Sequence, residues 1–263
     1  MAVDAEGRID LEGLKDALGE ETRLVSVMYA NNEVGTVHPV AEIGALLRGH
    51  DAVFHCDATQ GAAYYSMDVD ALGVDLLTFS GHKLYAMKGA GVLYARQGLV
   101  NAGRLLPGQE GRGQERGVRS GTLNVPGIVA LGAAVGIARE CQVEEAARLV
   151  QLRDHLLKRL STLPYRLNGC WDNRLPNNLS ISFPDLDGDA FLTQLSDVAI
   201  STGSAYHAHS QEPSHVLTTI GMSKGLAGAT FRISPGRFTT RAEIDRAADA
   251  ILAAYKHAAR RAA

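Results

Sequence analysis

The stretch 80–83 places a serine, a histidine and a lysine close together, directly after the apolar run that ends at Phe79. A lysine at the end of a buried strand has to be ion-paired, deprived of water or used covalently, because an uncompensated buried charge is unfavourable. An ion-paired or snorkelling lysine is the ordinary alternative. Asp57 ends the preceding apolar run, so we expect its carboxylate and the amine of Lys83 to face the same crevice.

An amine and a carboxylate that face one crevice are what pyridoxal phosphate requires of a protein. The lysine would hold the cofactor's aldehyde as a Schiff base, and the carboxylate would keep the ring nitrogen protonated so that the ring accepts electrons. For Asp57 the alternative is a structural role in which the side chain caps a turn. The residue types at 57 and 83 therefore predict a pyridoxal-phosphate site.

Apolar runs separated by polar or helical segments must position these groups. Strands that alternate with crossovers indicate a parallel or mixed sheet that is covered on both faces. Polar residues follow three of the runs, and ligands bind at the carboxyl edge of such a sheet. The predicted strands are 23–29, 52–55, 74–79 and 91–95, and the polar clusters are Asn31 with Asn32, Asp57 with Gln60, and Ser80 with His82 and Lys83.

The second half of the chain follows a different pattern. Residues from Val125 to about Leu160 are predicted to form a long helical connector. A smaller α+β unit follows, with strands at 178–183, 198–201 and 229–234, a helix capped by Asp187 and a last helix opened by the capping-box pair Thr240 and Glu243. The fold class is therefore α/β, with residues 1–145 as part of a large domain and residues 146–263 as connector helix and small C-terminal domain.

The composition is that of an ordinary globular protein, with 46% apolar and 21% charged residues in a chain of 263. A net charge of -3 argues against a non-specific nucleic-acid binder, which is normally basic. The longest apolar stretch, 125–138, is interrupted by Pro126 and is too short to span a bilayer. The N-terminal residues are polar and acidic, unlike a signal peptide. We expect a cytoplasmic protein that binds neither nucleic acid nor membrane.

The three cysteines, Cys56, Cys141 and Cys170, form no CxxC pair, and their odd number argues against a disulfide framework. Reduced thiols agree with a cytosolic location. Histidines close to other possible metal ligands occur at 55–57 and at 207–209, but their spacing matches no closed ligand set. We therefore expect no metal site.

Five segments resemble, in the right order, the class V aminotransferase family of pyridoxal-phosphate enzymes, and specifically the cysteine desulfurases. The similarity runs from about Val3 onward and covers nearly the whole chain. It implies a fold-type I architecture, with an incomplete large domain followed by a small α+β C-terminal domain, and an amino acid as the substrate. The segments are SVMYANNEVGTVHPV, FHCDATQG, VDLLTFSGHKLYAMKGAGVLYAR, GQERGVRSGTLNVPGIVALGAA and FRISPGRFTTRAEID.

The resemblance implies a role for each polar residue near the cofactor. Lys83 would carry the cofactor and take the substrate's α-proton as a general base. A solvated loop position is the alternative for Gln60. The other implied contacts are Asp57 to the pyridinium nitrogen, Gln60 to the phenolic oxygen, Ser80 and His82 to the phosphate, and Thr122 to the phosphate bound by the other subunit of a dimer.

The same resemblance implies two residues that bind the substrate. Asn32 would lie near the substrate carboxylate and the ring oxygen of the cofactor. Arg232 would bind that carboxylate through a bidentate pair. An ion pair at an interface is the alternative for Arg232.

The chain departs from the family at the residue that would accept sulfur. Cysteine desulfurases carry a cysteine on a loop that takes up sulfur as a persulfide, but the matching segment STGSAYHAHSQEPSHVL, at 201–217, has Tyr206 in that place. A phenol forms no persulfide, and its reference pKa of about 10 makes it a poor nucleophile at neutral pH. Lys83 and the other residues near the cofactor are still compatible with β-elimination, transamination or another reaction at the α-carbon of an amino acid. Tyr206, His207 or His209 could donate a proton, with a plain surface loop as the alternative.

The second departure lies at the N-terminus. Family members carry a preceding segment with a Gly/Thr turn, which binds the phosphate at a helix N-terminus, and a histidine that stacks on the ring. Three explanations are open: a split enzyme completed by a second chain, a truncation, or a non-catalytic remnant that acts as a scaffold or interaction subunit. We favour the split, hence a heterodimer, because the residues around Lys83 are all retained. Without that segment, apolar faces and sheet edges would be exposed.

Overall fold

The chain forms two compact units, described by a computed structural model for residues 2–202 and 213–262. We call them the sheet unit and the C-terminal unit. The predicted domain boundary at residue 145 stays a prediction. The two compact units do not correspond to a single cut in the chain, since residues 1–14 and 30–38 belong to the C-terminal unit. The sheet unit comprises Lys15–Tyr29 and Pro39–Gln142, and the C-terminal unit comprises Met1–Leu14, Ala30–His38 and Val143–Ala263.

The sheet unit contains a mixed sheet with the strand order β1-β2-β3-β4. Strands β1, β2 and β3 are parallel, and β4 is antiparallel to β3. This arrangement confirms the predicted mixed sheet and its predicted strands, whose ends shift by at most two residues. The strands are β1 Leu24–Met28, β2 Val53–Asp57, β3 Leu76–Ser80 and β4 Gly91–Ala95.

One face of this sheet is buried and the other is open in the described chain. Alternate side chains such as Val25, Phe54 and Leu77 share the buried face, as their register requires. On the opposite face Leu24 is 57% exposed and Leu93 is 48% exposed. The described residues therefore cover one face of this sheet only, which agrees with the expectation of exposed apolar faces.

Helices connect the strands and fix the loops at their ends. Helix α2, Val40–Leu46, begins directly after Pro39 and buries Val40 and Ile43. A side chain at Gly44 would place its Cβ 2.1 Å from the Leu72 carbonyl oxygen, so α2 approaches the end of the helix Val69–Leu72 closely only because residue 44 is glycine. Helices α3 Val69–Leu72 and α4 Gln97–Asn101 belong to this unit, and α1 Leu11–Ala17 and α5 Val125–Arg159 have residues in both units. Helix α5 confirms the predicted connector.

The C-terminal unit is built on an antiparallel sheet with the strand order β5-β6-β8-β7. Its core includes Phe183, Phe191 and Phe231, all fully buried. The rings of Phe191 and Phe231 lie 4.7 Å apart, a contact that adds about 0.5–1.5 kcal/mol beyond burial alone. The elements are β5 Arg166–Leu167, β6 Leu179–Ser182, α6 Gly188–Thr193, β7 Ser201–Thr202, α7 His215–Thr219, α8 Lys224–Gly228, β8 Thr230–Ile233 and α9 Arg241–Ala262.

Both predicted helix caps in this unit are present. Asp187 accepts hydrogen bonds from the backbone of Asp189 and Ala190 at the start of α6. Glu243 accepts from the Thr240 backbone N–H at 2.7 Å, and the Thr240 hydroxyl accepts from the Glu243 N–H at 3.3 Å, which completes the capping box of α9. The strand predicted at 198–201 is wrong except for its last residue, because β7 pairs with β8 only at Ser201 and Thr202.

No helix among the described residues combines the length and the apolar character that a bilayer crossing demands. The longest of them, α5, carries charged side chains along its second half. Its first half nevertheless exposes several apolar side chains, among them Val125 and Val129.

Candidate functional site

The ends of β2 and β3 bring a carboxylate and the turn that carries Lys83 to one edge of the sheet. Asp57 is the last residue of β2 and Ser80 is the last residue of β3. The two strands are parallel neighbours, with Asp57 opposite Thr78. Because parallel strands end at a common edge, the predicted meeting of the second and third polar clusters is confirmed at the level of the strands. We call Asp57, Gln60, Ser80, His82 and Lys83 the strand-end cluster.

A short 3₁₀ turn, Gly81–Leu84, holds the backbone of Lys83 in place. A Cβ at Gly81 would lie 3.0 Å from both the Ala90 carbonyl oxygen and a Leu131 methyl group, so only glycine fits there comfortably. Leu84 is buried against Ala63, Ala134 and Ala138, which anchors the other end of the turn. The turn is therefore fixed by packing at both ends, and its middle is free to present side chains.

The side chain of Lys83 is exposed, and so is that of His82. Of the three possibilities for this lysine, the described chain does not desolvate it, and its covalent use stays a prediction. The reason is local: Lys83 lies one turn beyond β3, and the turn directs Leu84 rather than Lys83 into the interior. An exposed amine on a fixed backbone remains able to react with an aldehyde delivered from solvent.

Asp57 has both a structural contact and free bonding capacity. Its Oδ1 accepts a hydrogen bond from the Thr59 backbone N–H at 2.9 Å, as the turn-capping alternative requires. Its second oxygen accepts none from the part of the chain that the structure describes. The half-buried carboxylate therefore caps its own turn with one oxygen and leaves the other for a ligand's N–H.

The remaining side chains of the strand-end cluster also have unused donors. Gln60, Ser80, His82 and Lys83 make no side-chain hydrogen bond or ion pair within residues 2–202 and 213–262. An amine for an aldehyde, a carboxylate for a protonated ring nitrogen, and a hydroxyl with an imidazole for a phosphate are what pyridoxal phosphate needs. The donor set of this cluster therefore fits the cofactor.

A hydrogen-bonded row crosses the open face beside Asp57. The Ser26 hydroxyl lies 2.8 Å from His55 Nδ1, and His55 Nε2 lies 3.0 Å from the Thr78 hydroxyl. Both ring nitrogens are thus engaged by hydroxyl groups. Cys56 lies between His55 and Asp57 in sequence but points to the opposite, buried face, so the three cannot ligate one metal ion.

The thiol of Cys56 is poorly suited to nucleophilic chemistry. Burial, and then the nearby Asp57 charge, raise the pKa of the Cys56 thiol to about 12. Cys170 is buried as well, and Cys141 is partly exposed on α5. The residues that the structure describes contain no group of three or more side chains able to hold a metal ion. Tyr206 and the pair at 207–209 lie outside the described residues.

Thr122 lies in an exposed segment before α5, next to Gly121 with its φ of 117°. No hydrogen bond links it to the strand-end cluster within the described part of this single chain. That separation is compatible with a residue that serves another subunit, and the role of Thr122 stays a prediction.

A second group of predicted residues meets in the C-terminal unit. Arg232, in β8, donates from Nη1 to the Asn32 carbonyl oxygen at 2.8 Å and from Nη2 to the Ser201 hydroxyl at 3.5 Å. The structure thus brings Asn32 and Arg232 together, although they are 200 positions apart. No carboxylate of the described chain lies within ion-pair distance of Arg232, and an ion pair across an interface stays the alternative. We call Asn32, Ser201 and Arg232 the arginine cluster.

The turn that contains Asn32 depends on two residues that were not predicted. The Asn31 side chain accepts from the backbone N–H groups of Glu33 and Val34 and so closes the turn. The buried Glu33 carboxylate accepts a hydrogen bond of 2.5 Å from the Ser214 hydroxyl. The sequence contains a hint of each residue separately, because Glu33 directly follows the paired asparagines and Ser214 ends the EPS motif. Nothing in the sequence indicates that these two residues, 181 positions apart, form a hydrogen bond.

The sequence of this chain is similar to a known protein family and to named relatives. The family model described as "Aminotransferase class-V" matches residues 1–247. "Cysteine desulfurase IscS" of Anaeromyxobacter sp. (strain Fw109-5) is 46% identical over 247 residues, which are 93% of this chain and 61% of that relative. "Cysteine desulfurase, mitochondrial" of Eremothecium gossypii is 44% identical over 246 residues, 93% of this chain and 50% of that relative. The chain thus spans about three fifths of the length of the first bacterial relatives.

Solved structures give the same result. A "NifS-like protein" from Rickettsia africae ESF-5 superposes with a TM-score of 0.86 at 31% identity, covering 97% of this chain and 69% of that one. A structure titled "NIFS-LIKE PROTEIN" superposes with a TM-score of 0.85 at 35% identity, covering 95% and 66%. The likeness therefore extends over both units of this chain in sequence and in fold.

Proposed function

Because this chain belongs to the class-V aminotransferase family, whose members depend on pyridoxal phosphate, we propose that it is a subunit of an enzyme that acts on an amino acid without forming a persulfide at position 206. The observation that carries the proposal is the strand-end cluster. In it, Asp57 and the turn that carries Lys83 follow neighbouring parallel strands, and their side chains have hydrogen-bonding groups that the described chain does not use. Bound pyridoxal phosphate supplies the electron sink that makes the α-carbon of an amino acid reactive.

Each residue of the strand-end cluster would bind a different part of the cofactor. Asp57 would hold a proton on the ring nitrogen with its second oxygen while Thr59 keeps the first oxygen in place. Ser80 and His82 would bind the phosphate, and Gln60 would donate to the phenolic oxygen. Thr122 would serve the phosphate site of another subunit.

Lys83 would have two consecutive tasks. Its amine would first anchor the cofactor and then, once a substrate amine has displaced it, take the proton from the substrate's α-carbon as a general base. The fixed backbone of the 81–84 turn supports this role, because it holds the start of the Lys83 side chain at one place beside the strand ends.

Arg232 would bind the substrate's carboxylate. Its guanidinium carries five N–H donors, and the contacts to Asn32 and Ser201 use only part of them. A cationic group held by uncharged acceptors, with no carboxylate partner in the described chain, is well suited to a bidentate contact with an anionic ligand. The side chain of Asn32 would assist at the same carboxylate.

Sulfur transfer through a persulfide is the point on which this chain would differ from the relatives named cysteine desulfurases. Tyr206 stands where a nucleophilic cysteine is expected, and a phenol cannot form the persulfide bond. The pKa of Cys56, raised to about 12 by burial, keeps that thiol protonated at neutral pH. β-Elimination or transamination would therefore be the outcome at the α-carbon.

A partner chain would cover the apolar surfaces that the described residues leave open. Leu24 and Leu93 are exposed on the sheet, and other apolar side chains are exposed on the first half of α5. Large exposed apolar area is unusual for a protein that works alone and is typical of an interface. The exposed apolar residues of α5 are Val125, Ile128, Val129, Val135 and Ile137. The resulting heterodimer would be the active form.

The experiment that tests this proposal is an assay of the protein, purified with any chain that copurifies, against a panel of L-amino acids. Mass spectrometry would identify the products and search the chain for an added sulfur atom. We expect product from at least one amino acid, dependent on Lys83, and no persulfide on this chain. A protein that binds its partner but neither binds cofactor nor turns over any amino acid would instead be a non-catalytic scaffold.

A further inference from the structure

The buried residue Glu33 is held once through its side chain and once through its backbone. Its carboxylate accepts the 2.5 Å hydrogen bond from the Ser214 hydroxyl, and its backbone carbonyl accepts from Asn178 Nδ2 at 3.2 Å. Glu33 is only 6% exposed. A buried carboxylate is stable only where it is well hydrogen-bonded, so this residue fixes the turn to which it belongs.

The turn itself is tightly packed. The Asn31 side chain bonds the N–H groups of Glu33 and Val34 at 2.8 Å and 3.0 Å. Gly35 has a φ of 80°, and a Cβ there would lie 2.4 Å from Asn178 Oδ1, so Asn178 packs directly on this backbone. The segment 31–35 therefore moves as one body, and a displacement of Glu33 displaces Asn32.

Asn32 in turn holds the guanidinium of Arg232. Its carbonyl oxygen accepts from Arg232 Nη1 at 2.8 Å, which is the shorter of the two hydrogen bonds in the arginine cluster. The second contact, to Ser201, is long at 3.5 Å and constrains the side chain less. The orientation of Arg232 is thus set mainly by the position of the Asn32 carbonyl.

We infer that Glu33 is a positioning residue that aims Arg232 at the carboxylate of the substrate. The inference rests on the proposed function, which assigns that carboxylate to Arg232. Glu33 does not touch the ligand; it acts through Ser214 and the rigid turn on the Asn32 carbonyl. A bidentate contact tolerates little displacement of the guanidinium, so loss of Glu33 affects carboxylate recognition first.

The test compares two ligands that differ by the carboxylate. L-Alanine and ethylamine share the amine, and ethylamine lacks the α-carboxylate. Their dissociation constants are measured by equilibrium titration of the cofactor-loaded protein with any copurifying chain, and the ratio of the two is the carboxylate preference. Thermal unfolding midpoints are recorded for every variant.

Glu33→Ala is expected to lower the carboxylate preference about tenfold, the loss typical of one misplaced charge-assisted hydrogen bond, with little change for ethylamine. Glu33→Gln keeps an acceptor for Ser214 and is expected to retain most of the preference. Arg232→Ala removes the preference, and adding Glu33→Ala to Arg232→Ala changes it no further. Should Glu33→Ala fail to fold, Ser214→Ala removes the same hydrogen bond from the other side and is expected to act alike.

Glu145→Ala is the matched control. Glu145 is equally buried in the same unit and pairs with Arg237 at 2.6 Å, remote in sequence from the turn. It is expected to lower the unfolding midpoint without changing the carboxylate preference. Suppose that Arg232→Ala abolishes the carboxylate preference. If Glu33→Ala then weakens binding of both ligands equally, or leaves the preference intact, the inference about Glu33 is wrong and the proposed function stands. If Arg232→Ala keeps the preference, both the inference and the proposed role of Arg232 are wrong.

Discussion

Asp57 and Thr78 are register partners in the parallel pairing of β2 with β3, and Ser80 ends β3 two residues further on. This relationship fixes where a carboxylate and a lysine-bearing turn leave the sheet. It holds independently of any ligand, because it follows from backbone hydrogen bonding between the two strands. The roles proposed for the strand-end cluster all start from it.

The charge of Asp57 can be separated from its turn-capping hydrogen bond. Asp57→Asn keeps an oxygen for the Thr59 N–H but removes the negative charge that would hold a proton on the ring nitrogen. We predict a normal fold and turnover reduced roughly a hundredfold, as for other preorganised active-site charges. Steady-state kinetics and circular dichroism measure both. Asp68→Asn, which alters a similar cap at the start of α3, serves as control and should leave turnover unchanged.

The packing at Gly81 predicts the effect of a single methyl group. Gly81→Ala would place its Cβ 3.0 Å from the Ala90 carbonyl oxygen and from Leu131, which forces the 81–84 turn to shift. We expect a loss of about 1–3 kcal/mol in the free energy of unfolding and weaker cofactor binding. Gly98→Ala, in α4 with no atom within 4 Å, should be neutral or slightly stabilising. Equal urea midpoints for the two variants would show that the turn is not tightly packed.

The thiols should differ in reactivity in a definite order. Because burial raises the pKa of Cys56 from 9.0 to about 12, this thiol stays protonated and unreactive toward iodoacetamide at pH 8 in the folded protein. Cys141, partly exposed on α5, should be alkylated first. Peptide mapping by mass spectrometry checks the order, and prompt labelling of Cys56 would refute its buried placement.

The same pKa shift predicts how stability depends on alkaline pH. A thiol whose pKa is higher in the folded than in the unfolded protein stabilises the fold fully below the unfolded value. Its contribution is lost as the pH rises from about 9 toward about 12. Cys56→Ala should therefore flatten the decline of the unfolding free energy over that range. An unchanged pH profile in this variant would assign the decline to other groups.

The open sheet face predicts where a partner binds. Leu24→Ser and Val129→Ser remove exposed apolar side chains without touching the core, and each should weaken binding of a copurifying chain roughly tenfold. Leu106→Ser changes an exposed leucine outside the sheet and α5 and is the control. Copurification followed by calorimetry measures the affinities. Equal binding by all three variants would place the interface elsewhere.

The apolar runs and the polar residues that follow them were sufficient to predict the strands and the edge at which Asp57 and Ser80 meet. The position of each strand is a local property of the sequence, because each strand is one apolar segment with polar residues at its end. The caps of Asp187 and Thr240 were predictable for the same reason, because each lies within three residues of its partners.

Other features depend on contacts that the sequence does not display. The exposure of Lys83 follows from the packing of Gly81 and Leu84, and the pairing of Asn32 with Arg232 was suggested by the family resemblance alone. Glu33 and Ser214 join segments that are distant in sequence, so neither could be paired from spacing. Apolar runs predict a sheet that is covered on both faces, but they do not reveal which chain covers each face.

The most direct measurement is the visible absorption spectrum of the protein, purified with any chain that copurifies and supplied with pyridoxal phosphate. The account predicts a protein-bound cofactor band in the wild type and in Lys88→Ala, an exposed lysine just beyond the turn, and its loss in Lys83→Ala. A band that survives unchanged in Lys83→Ala, or a wild-type complex that stays colourless, would contradict it.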